Sequence, residues 1–407
     1  MVNPHKTSWL MWLVASVFYA YQYVLRVVPS VMLENIMQQF SMDTLLFGQF
    51  SGVYYIGYSL MHIPLGILID KYGPKKVIPI CILLSGIGVL PIALADQWIY
   101  PTIGRVITGI GSSAAILGLF KIIQMAFDEK LFTRMLSFSV TIGLLGAIYG
   151  GAPVGHMCEI FTYKSVIITL ASVGIVLAIV AYLIIPETKA DSNVNDSMFS
   201  NLKGVFSNWK VILVCISAGL MVGPLEGFAD IWGPKFLKQT YNMDGSVAAY
   251  ISSMIFIGMC FGAPILNFIA EKLKDHLKTV VLSGLVMLFV FVLLIAGTLN
   301  SLCITIGFLI VGICCAYQIL AIYKASTYVN KNSANLATAL TNMIIMIFGY
   351  LFHGTIGTTI DMCSGLGNVA AFRCGIGVIP IGLLLGTIGF AVLVCKSTAG
   401  KKNAPHG

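Results

Sequence analysis

The chain has 407 residues, of which 58% are hydrophobic and only 10% are charged. A soluble globular chain carries roughly 25% charged residues, so this composition excludes an ordinary cytosolic enzyme, a nucleic-acid binder and a disordered chain. The net charge of +8 comes from basic residues scattered at the ends of apolar runs, a pattern typical of membrane topology signals. We therefore predict an all-α polytopic membrane protein.

Twelve apolar segments follow one another, each long enough to span a bilayer as a helix of about 20 residues. They are predicted at 8–33, 46–69, 77–95, 98–124, 134–156, 165–185, 209–233, 246–270, 279–298, 301–325, 336–359 and 368–395. The longest polar stretch, from Pro186 to Asn208, falls between the sixth and seventh segments. We predict an N-terminal six-helix bundle over 1–185, a cytoplasmic linker over 186–208 and a C-terminal six-helix bundle over 209–407.

The basic residues predict the orientation of these spans. With the N-terminus in the cytoplasm, 18 of the 24 Lys and Arg residues fall on the cytoplasmic side, and Arg26 and Arg105 fall within spans. Only Lys164, Lys235, Lys238 and Arg373 fall outside. Because basic residues are retained on the cytoplasmic side, both termini are predicted to be cytoplasmic.

The two halves carry a weak internal repeat. Pro64 and Pro264 precede equivalent turns, at an offset of 200, and Lys121 and Lys324 end the fourth and tenth spans, at an offset of 203. Such symmetry is expected of transporters that are built from two six-helix halves.

Residues 66 to 76 read GILIDKYGPKK in the turn between the second and third spans. This segment resembles the GxLxDRxGRR signature of the major facilitator superfamily, with a lysine for the usual arginine and a proline before the basic pair. The resemblance implies a cytoplasmic latch between the two halves in the outward-facing state. The alternative is a basic cytoplasmic loop with an incidental aspartate. The latch residues are Gly66, Asp70, Lys71, Gly73, Lys75 and Lys76.

Two further segments resemble motifs of the same superfamily. Arg105 opens RVITGIG in the fourth span, similar to a motif whose arginine is often linked to proton coupling. An arginine within a span is costly, so a functional or paired role is the default, and the alternative is that Arg105 snorkels to the interface. The segment from Gly143 to Gly155 is similar to the Gly-Pro-rich fifth-span motif, whose small residues allow close helix approach.

Residues 18–29 and 223–233 look like segments of the proteobacterial phagosomal transporter family. Members of that family import amino acids and, in some cases, nucleosides. The resemblance implies a multi-pass protein of the bacterial inner membrane that works by alternating access.

Polar residues in the first and seventh spans form the candidate site. Tyr19, Gln22, Tyr23 and Arg26 follow a three- and four-residue spacing and so share one helical face. A polar face on an apolar span should contact protein or water rather than lipid. In the seventh span, Glu226 and Asp230 also share a face, and Glu226 is offset from Arg26 by 200 residues. We therefore expect Arg26 and Glu226 at equivalent depths, facing each other between the halves.

An arginine opposite a carboxylate suits a zwitterionic substrate. Arg26 would bind a substrate carboxylate with forked hydrogen bonds, and Glu226 would bind an ammonium group or carry the coupling proton. Asp230 and Arg105 are further proton-coupling candidates, although Asp230 lies nearer the outer surface, where the alternative is a solvated carboxylate. The alternative for Arg26 and Glu226 is a structural salt bridge between the halves. The remaining substrate-binding candidates are Tyr317, Gln318 and Asn342.

The sequence contains no P-loop, HExxH or GxSxG motif, so neither ATP-driven transport nor an enzyme is expected. We expect no cofactor, no metal and no nucleic acid. The expected partners are a small-molecule substrate, protons and the lipid bilayer, and the expected state is a monomer. The prediction is proton-coupled uptake of an amino acid or similar small zwitterion. The rivals are a nucleoside or dipeptide importer, an exporter of drugs or metabolites, and a non-transporting membrane sensor.

The ten cysteines show no metal-ligand spacing. Most lie in apolar runs and are expected to pack as small hydrophobic residues. Cys363 and Cys374 flank one predicted outer loop, and the sequence leaves open whether they pair or remain free thiols.

Overall fold

The computed structural model describes residues 4–187, 205–330 and 333–402. Within these ranges twelve helical stretches are long and apolar enough to cross a membrane, which confirms the predicted all-α class. We number them as spans 1 to 12, with bounds Ser8–Val31, Thr44–Tyr72, Pro74–Leu94, Ile99–Ala126, Lys130–Ile160, Tyr163–Ile184, Trp209–Tyr241, Gly245–Leu273, His276–Ala296, Ser301–Ser326, Leu336–Met362 and Asn368–Lys396. Most of the predicted linker, including Lys189 and Lys203, lies outside the described residues.

Six of the spans consist of more than one helix. Span 3 comprises Pro74–Gly88 and Leu90–Leu94, span 4 Ile99–Ser112 and Ala114–Ala126, span 5 Glu129–Gly150 and Ala152–Ile160, span 7 Trp209–Leu220, Gly223–Trp232 and Gly233–Tyr241, span 10 Ser301–Cys315 and Tyr317–Ser326, and span 12 Asn368–Ile376 and Val378–Lys402. A short helix, Leu33–Phe40, lies between spans 1 and 2. The segment Gly223–Trp232 is a π-helix, a rare form that is frequent at functional sites.

Side-chain caps fix where several spans begin. Asp43 accepts a hydrogen bond from the backbone nitrogen of Leu46 at 2.7 Å, which satisfies one of the free donors at the start of span 2. Asn208 and Asn300 cap spans 7 and 10 in the same way. The polar residues between apolar runs therefore mark the helix starts as well as the membrane boundaries.

The internal repeat is visible in glycine contacts between spans. Four glycines lie so close to a backbone carbonyl of a neighbouring span that a side chain on any of them would collide with it. The pairs are Gly57 with Val106, Gly109 with Tyr54, Gly258 with Leu309 and Gly312 with Ile255. The first two pairs join spans 2 and 4, and the last two join spans 8 and 10 at positions 201 or 203 residues later. The helix breaks at Ser113 and Ala316 are also 203 residues apart. The same close packing is therefore built twice.

The two halves meet along three pairs of spans. Span 1 contacts span 7, span 2 contacts span 11, and span 5 contacts span 8. On the other side of span 1, Gly143, Gly146 and Gly150 of span 5 pack against Tyr19, Ala20 and Val24. This glycine stripe fixes span 1 against its own half, while Arg26 of the same span contacts the other half. We call the two ends of the bundle the Glu34 end, predicted to face outward, and the Asp70 end, predicted to be cytoplasmic.

Gly109→Ala and Gly312→Ala test the repeated packing. Each methyl group would meet a backbone carbonyl that cannot move without displacing its helix. We expect each change to cost about 1–3 kcal/mol of stability, read as a lower thermal unfolding midpoint in detergent. Gly354→Ala is the matched control, because nothing lies within 4 Å of a methyl group there. Equal midpoints for all three variants would contradict the packing described here.

Candidate functional site

Arg26 of span 1 contacts two carboxylates of span 7. Its Nε donates a hydrogen bond to Oδ2 of Asp230 at 2.5 Å, and its Nη2 forms an ion pair with Oε2 of Glu226. Arg26, Glu226 and Asp230 are 5%, 1% and 0% exposed. Removing three charges from water is unfavourable unless they neutralise one another, so this contact is a strong constraint on how the halves meet.

The structure brings Arg26 and Glu226 together as the repeat indicated, and it buries Asp230 beside them. Span 7 continues to Tyr241, beyond its predicted end at 233, so Asp230 is well inside the helical stretch. Its carboxylate is therefore buried on Arg26, and the alternative of a solvated carboxylate is wrong. Along the π-helix, Gly223 and Gly227 let Phe352 of span 11 pack closely against the same segment.

Tyr55 of span 2 completes the cluster, and the sequence analysis missed it. Its hydroxyl donates to Oε2 of Glu226 at 2.8 Å and also contacts Oδ2 of Asp230. Span 2 carries Tyr54, Tyr55, Tyr58 and His62 on an otherwise apolar helix, and this polar spacing is the signal that identifies it. We call Arg26, Glu226, Asp230 and Tyr55 the central cluster.

Two tyrosine rings flank the guanidinium group of Arg26. Its Cζ lies 5.1 Å from the ring centroid of Tyr23 and 5.2 Å from that of Tyr55. Tyr19 packs edge-on against Tyr23, with the ring centroids 5.3 Å apart. Two carboxylates and two aromatic faces together form a site suited to a cation, and in this structure Arg26 itself occupies it.

Other predicted residues of the N-terminal half stabilise the surroundings of the cluster. Gln22 accepts a hydrogen bond from the hydroxyl of Tyr54 at 2.9 Å. Arg105 does not reach the interface, because its Nη1 and Nη2 donate to the backbone oxygens of Leu25 at 2.9 Å and Ser51 at 3.1 Å. Arg105 thus joins spans 1, 2 and 4 through backbone carbonyls.

The described contacts of Tyr317 and Asn342, two candidates in the C-terminal half, are with residues outside the central cluster. Tyr317 is fully buried, and its hydroxyl donates to the backbone oxygen of Ala218 at 2.6 Å, which ties span 10 to span 7. Gln318 is also buried. Asn342 approaches His62 at 3.4 Å, closer to the Asp70 end. His62 in turn stacks on Tyr58, so spans 2 and 11 carry a second polar group on the Asp70 side of the cluster.

The latch residues contact their own half and, in the case of Lys76, the start of the predicted linker. Nζ of Lys121 in span 4 pairs with Oδ1 of Asp70 at 2.7 Å. Gly73 ends span 2 with a φ of +82°, a backbone conformation that residues other than glycine rarely adopt. Lys75 lies over the ring of Tyr182, Lys71 lies over that of Tyr72, and Lys76 pairs with Glu187 at 3.6 Å. Gly66 faces Leu117 of span 4.

At the opposite end a charged bridge joins the halves. Glu34, on the short helix after span 1, pairs with Lys235 and, at 3.1 Å, with Lys238 of span 7. A cavity of about 200 Å³ lies beside this bridge, lined by both halves and including Ser30, Glu159 and Ser246. The sequence analysis did not predict this bridge, since its residues are distant in sequence and lie outside the recognised motifs. It closes the halves together at the Glu34 end.

The twelve spans and a charged site between two repeated halves define a multi-pass membrane carrier. The sequence model of the Major Facilitator Superfamily matches residues 11–352. The chain therefore belongs to that superfamily and is a membrane transporter.

Two bacterial transport proteins are similar to the chain at low identity. The chain is 20% identical to a quinolone resistance transporter of Acinetobacter baumannii, over 86% of each chain. It is 22% identical to a nitrite extrusion protein of Bacillus subtilis, over 72% of each.

Solved structures share the fold at 16% identity. A bacterial homolog of the human lysosomal transporter Spinster, inward-facing and unoccupied, superposes with a TM-score of 0.76, covering 96% of this chain and 97% of that one. A variant of the nucleoside transporter NupG gives a TM-score of 0.79, covering 94% and 99%.

Glu34→Gln tests the bridge at the Glu34 end. Hydrogen bonds from Lys235 and Lys238 hold the pKa of the Glu34 carboxyl below its usual range. Because the pKa is lowered on folding, the bridge contributes above the unfolded pKa and is lost only as the pH falls through the lowered value. We expect Glu34→Gln to open this end in part at neutral pH. Losing an exposed ion pair should reduce the stability of the closed end by about 1 kcal/mol or less.

The opening can be measured as the distance between spin labels at Asn35→Cys and Ser246→Cys, which lie on opposite halves. The matched control is Glu159→Gln, since Glu159 lines the same cavity but pairs with His156 in its own half. A longer distance in Glu34→Gln alone supports the bridge. Identical distances in both variants would contradict it.

Proposed function

We propose that this transporter couples an inward proton gradient to the uptake of an amino acid or similar small zwitterion. In this proposal the central cluster binds both the substrate and the proton, and the two six-span halves rock around it by alternating access. The proposed boundaries of the halves are residues 1–185 and 209–407, joined by a linker over 186–208.

The observation that carries the proton proposal is the position of Tyr55 between two carboxyl groups. Its hydroxyl contacts both Glu226 and Asp230, yet it has a single hydrogen to donate. The second contact is favourable only when that carboxyl carries a proton and donates it to the tyrosine oxygen. The geometry therefore favours one proton bound between Glu226 and Asp230.

The charges around the cluster support the same interpretation. Arg26 offsets one carboxylate, while the nearby Arg105 donates its hydrogen bonds to backbone carbonyls rather than to either acid. From span 11, His353 stacks on Tyr55 with the ring centroids 5.5 Å apart. A second negative charge in so dry a site would be costly, and a proton removes it.

The substrate class follows from the cation site that Arg26 occupies. A zwitterion can exchange partners with the cluster: its ammonium group takes the place of the guanidinium on Glu226 and Asp230, and its carboxylate pairs with the released Arg26. Every buried charge then keeps a partner, so the cluster can open without leaving a charge unpaired. A ligand without a carboxylate would leave Arg26 unpaired, and it would bind less well.

The two ends of the molecule would then alternate. The Glu34 bridge and the central cluster close one end in this structure. Opening that end would separate spans 1 and 7, and closing the other would bring the latch residues around Asp70 against the second half. The distribution of Lys and Arg supports cytoplasmic termini, and bacterial relatives support the inner membrane as the location.

Uptake into proteoliposomes tests the function directly. We expect a labelled amino acid to accumulate with an inward proton gradient and to equilibrate without it. Glu226→Gln and Asp230→Asn should lose the gradient-driven accumulation and keep substrate exchange, because neither amide can release a proton. Glu159→Gln is the control, because it leaves both carboxyls intact and Glu159 pairs with His156 in its own half. Accumulation that ignores the gradient would contradict proton coupling, and nucleosides, dipeptides and cationic drugs as comparison substrates test the rivals.

Arg26→Ala tests the exchange of partners, because it should change the affinity for two ligand classes in opposite directions. Removing the guanidinium removes the forked bond to a substrate carboxylate, so affinity for a zwitterion should fall roughly tenfold to a hundredfold. The same change removes the guanidinium that competes with a ligand cation for Glu226 and Asp230. A simple alkylamine or methylguanidinium should therefore bind more tightly to this variant than to the wild type. Isothermal titration calorimetry measures both. Equal losses for zwitterions and simple cations would show that Arg26 is a structural tie alone.

A further inference from the structure

Two cysteine thiols lie together at the Glu34 end. Cys363 ends the helix Ala334–Met362, and Cys374 lies within Asn368–Ile376, the first helix of span 12. A 3-10 turn and Gly367, with a φ of +88°, reverse the chain between them. Both thiols are free in this structure, and Cys374 is a hydrogen-bonding neighbour of the Cys363 thiol.

The packing of the two helices holds the sulfurs in this position. Gly375, next to Cys374, lies so close to span 11 that any side chain there would collide with Ile360. Span 12 also contacts the extension of span 7 that carries Lys235, which places the pair at the same end as the Glu34 bridge. The approach of the two thiols therefore follows from helix packing as well as from the turn.

The pair is also reachable by a reagent, unlike several other cysteines of the chain. Cys81, Cys215, Cys314 and Cys315 are buried within spans, whereas Cys363 is half-buried and Cys374 is exposed. The hydrogen bond with Cys374 raises the pKa of the Cys363 thiol. The more exposed Cys374 is thus placed to react first.

We propose that Cys363 and Cys374 form an intramolecular disulfide on the outer face of the membrane. The oxidant is a disulfide compound or disulfide oxidoreductase of the oxidising outer compartment. The thiolate of Cys374 attacks a sulfur of that disulfide and releases one thiol. Cys363 then loses its proton and displaces the second thiol. One sulfur–sulfur bond forms, one breaks, and the oxidant gains the two electrons and two protons.

The bond would tie the ends of spans 11 and 12 into one unit. Span 11 is the helix through which the C-terminal half contacts span 2, where Gly48 and Gly52 pack against His353 and Tyr350. A cross-link at its end would limit local fraying while that contact changes. This inference concerns covalent structure and does not depend on the proposed substrate or proton coupling.

Mass spectrometry of the full-length protein, purified without reductant and with free thiols blocked, tests the pair. We expect a peptide pair joined through Cys363 and Cys374, which separates after reduction. Both peptides recovered with blocked free thiols would overturn the proposal, as would a cross-link from either cysteine to a different partner.

Labelling of intact cells with a membrane-impermeant maleimide tests both the pairing and the side. The wild type should gain label at Cys363 and Cys374 only after treatment with reductant. In Cys363→Ser the released Cys374 should be labelled without reductant, and Cys374→Ser should release Cys363 in the same way. Cys303→Ser is the control, because Cys303 is exposed at the start of span 10 and should leave the pair intact. Labelling of Cys374 in untreated wild type, or none in Cys363→Ser, would contradict the proposal.

Discussion

The fold depends on one arginine shared by two carboxylates inside a membrane. Arg26 arises from span 1, while Glu226 and Asp230 arise from span 7, and all three are almost completely buried. Charges in this position are stable only while they remain partnered. The contact between the two halves therefore depends on any group that binds to, or replaces, one of these three charged side chains. A transporter that couples two solutes needs such a contact.

The rest of the chain makes two stiff halves around this contact. Glycines of spans 2 and 4 lie against backbone carbonyls, and spans 8 and 10 repeat the arrangement about 200 residues later. Packing this close leaves little freedom within a half. In the proposed transport cycle the halves move against each other. The surfaces between them carry exchangeable polar contacts, namely the central cluster, the group of His62 and Asn342, and the Glu34 bridge, beside the close packing of Gly48 on His353.

The twelve spans could be predicted from the sequence, because the length of an apolar segment must match the thickness of the bilayer. The offset of 200 between Arg26 and Glu226 also predicted their juxtaposition, since a repeated fold places equivalent residues at equivalent depth. Tyr55 was not predicted because, for span 2, only the motif in the turn that follows it was considered. The burial of Asp230 depends on an extension of span 7 beyond its apolar run. The Glu34 bridge joins residues about 200 positions apart that share no motif, and only the folded chain brings them together.

The central claim is that Glu226 and Asp230 hold one proton beside Tyr55. Infrared spectroscopy of the protein in lipid at neutral pH tests it most directly, because a protonated carboxyl has a C=O stretch that a carboxylate lacks. The account predicts such a band in the wild type and in Glu34→Gln, and its loss or shift in both Glu226→Gln and Asp230→Asn. A wild-type spectrum without the band, or a band unaffected by either substitution, would contradict the account.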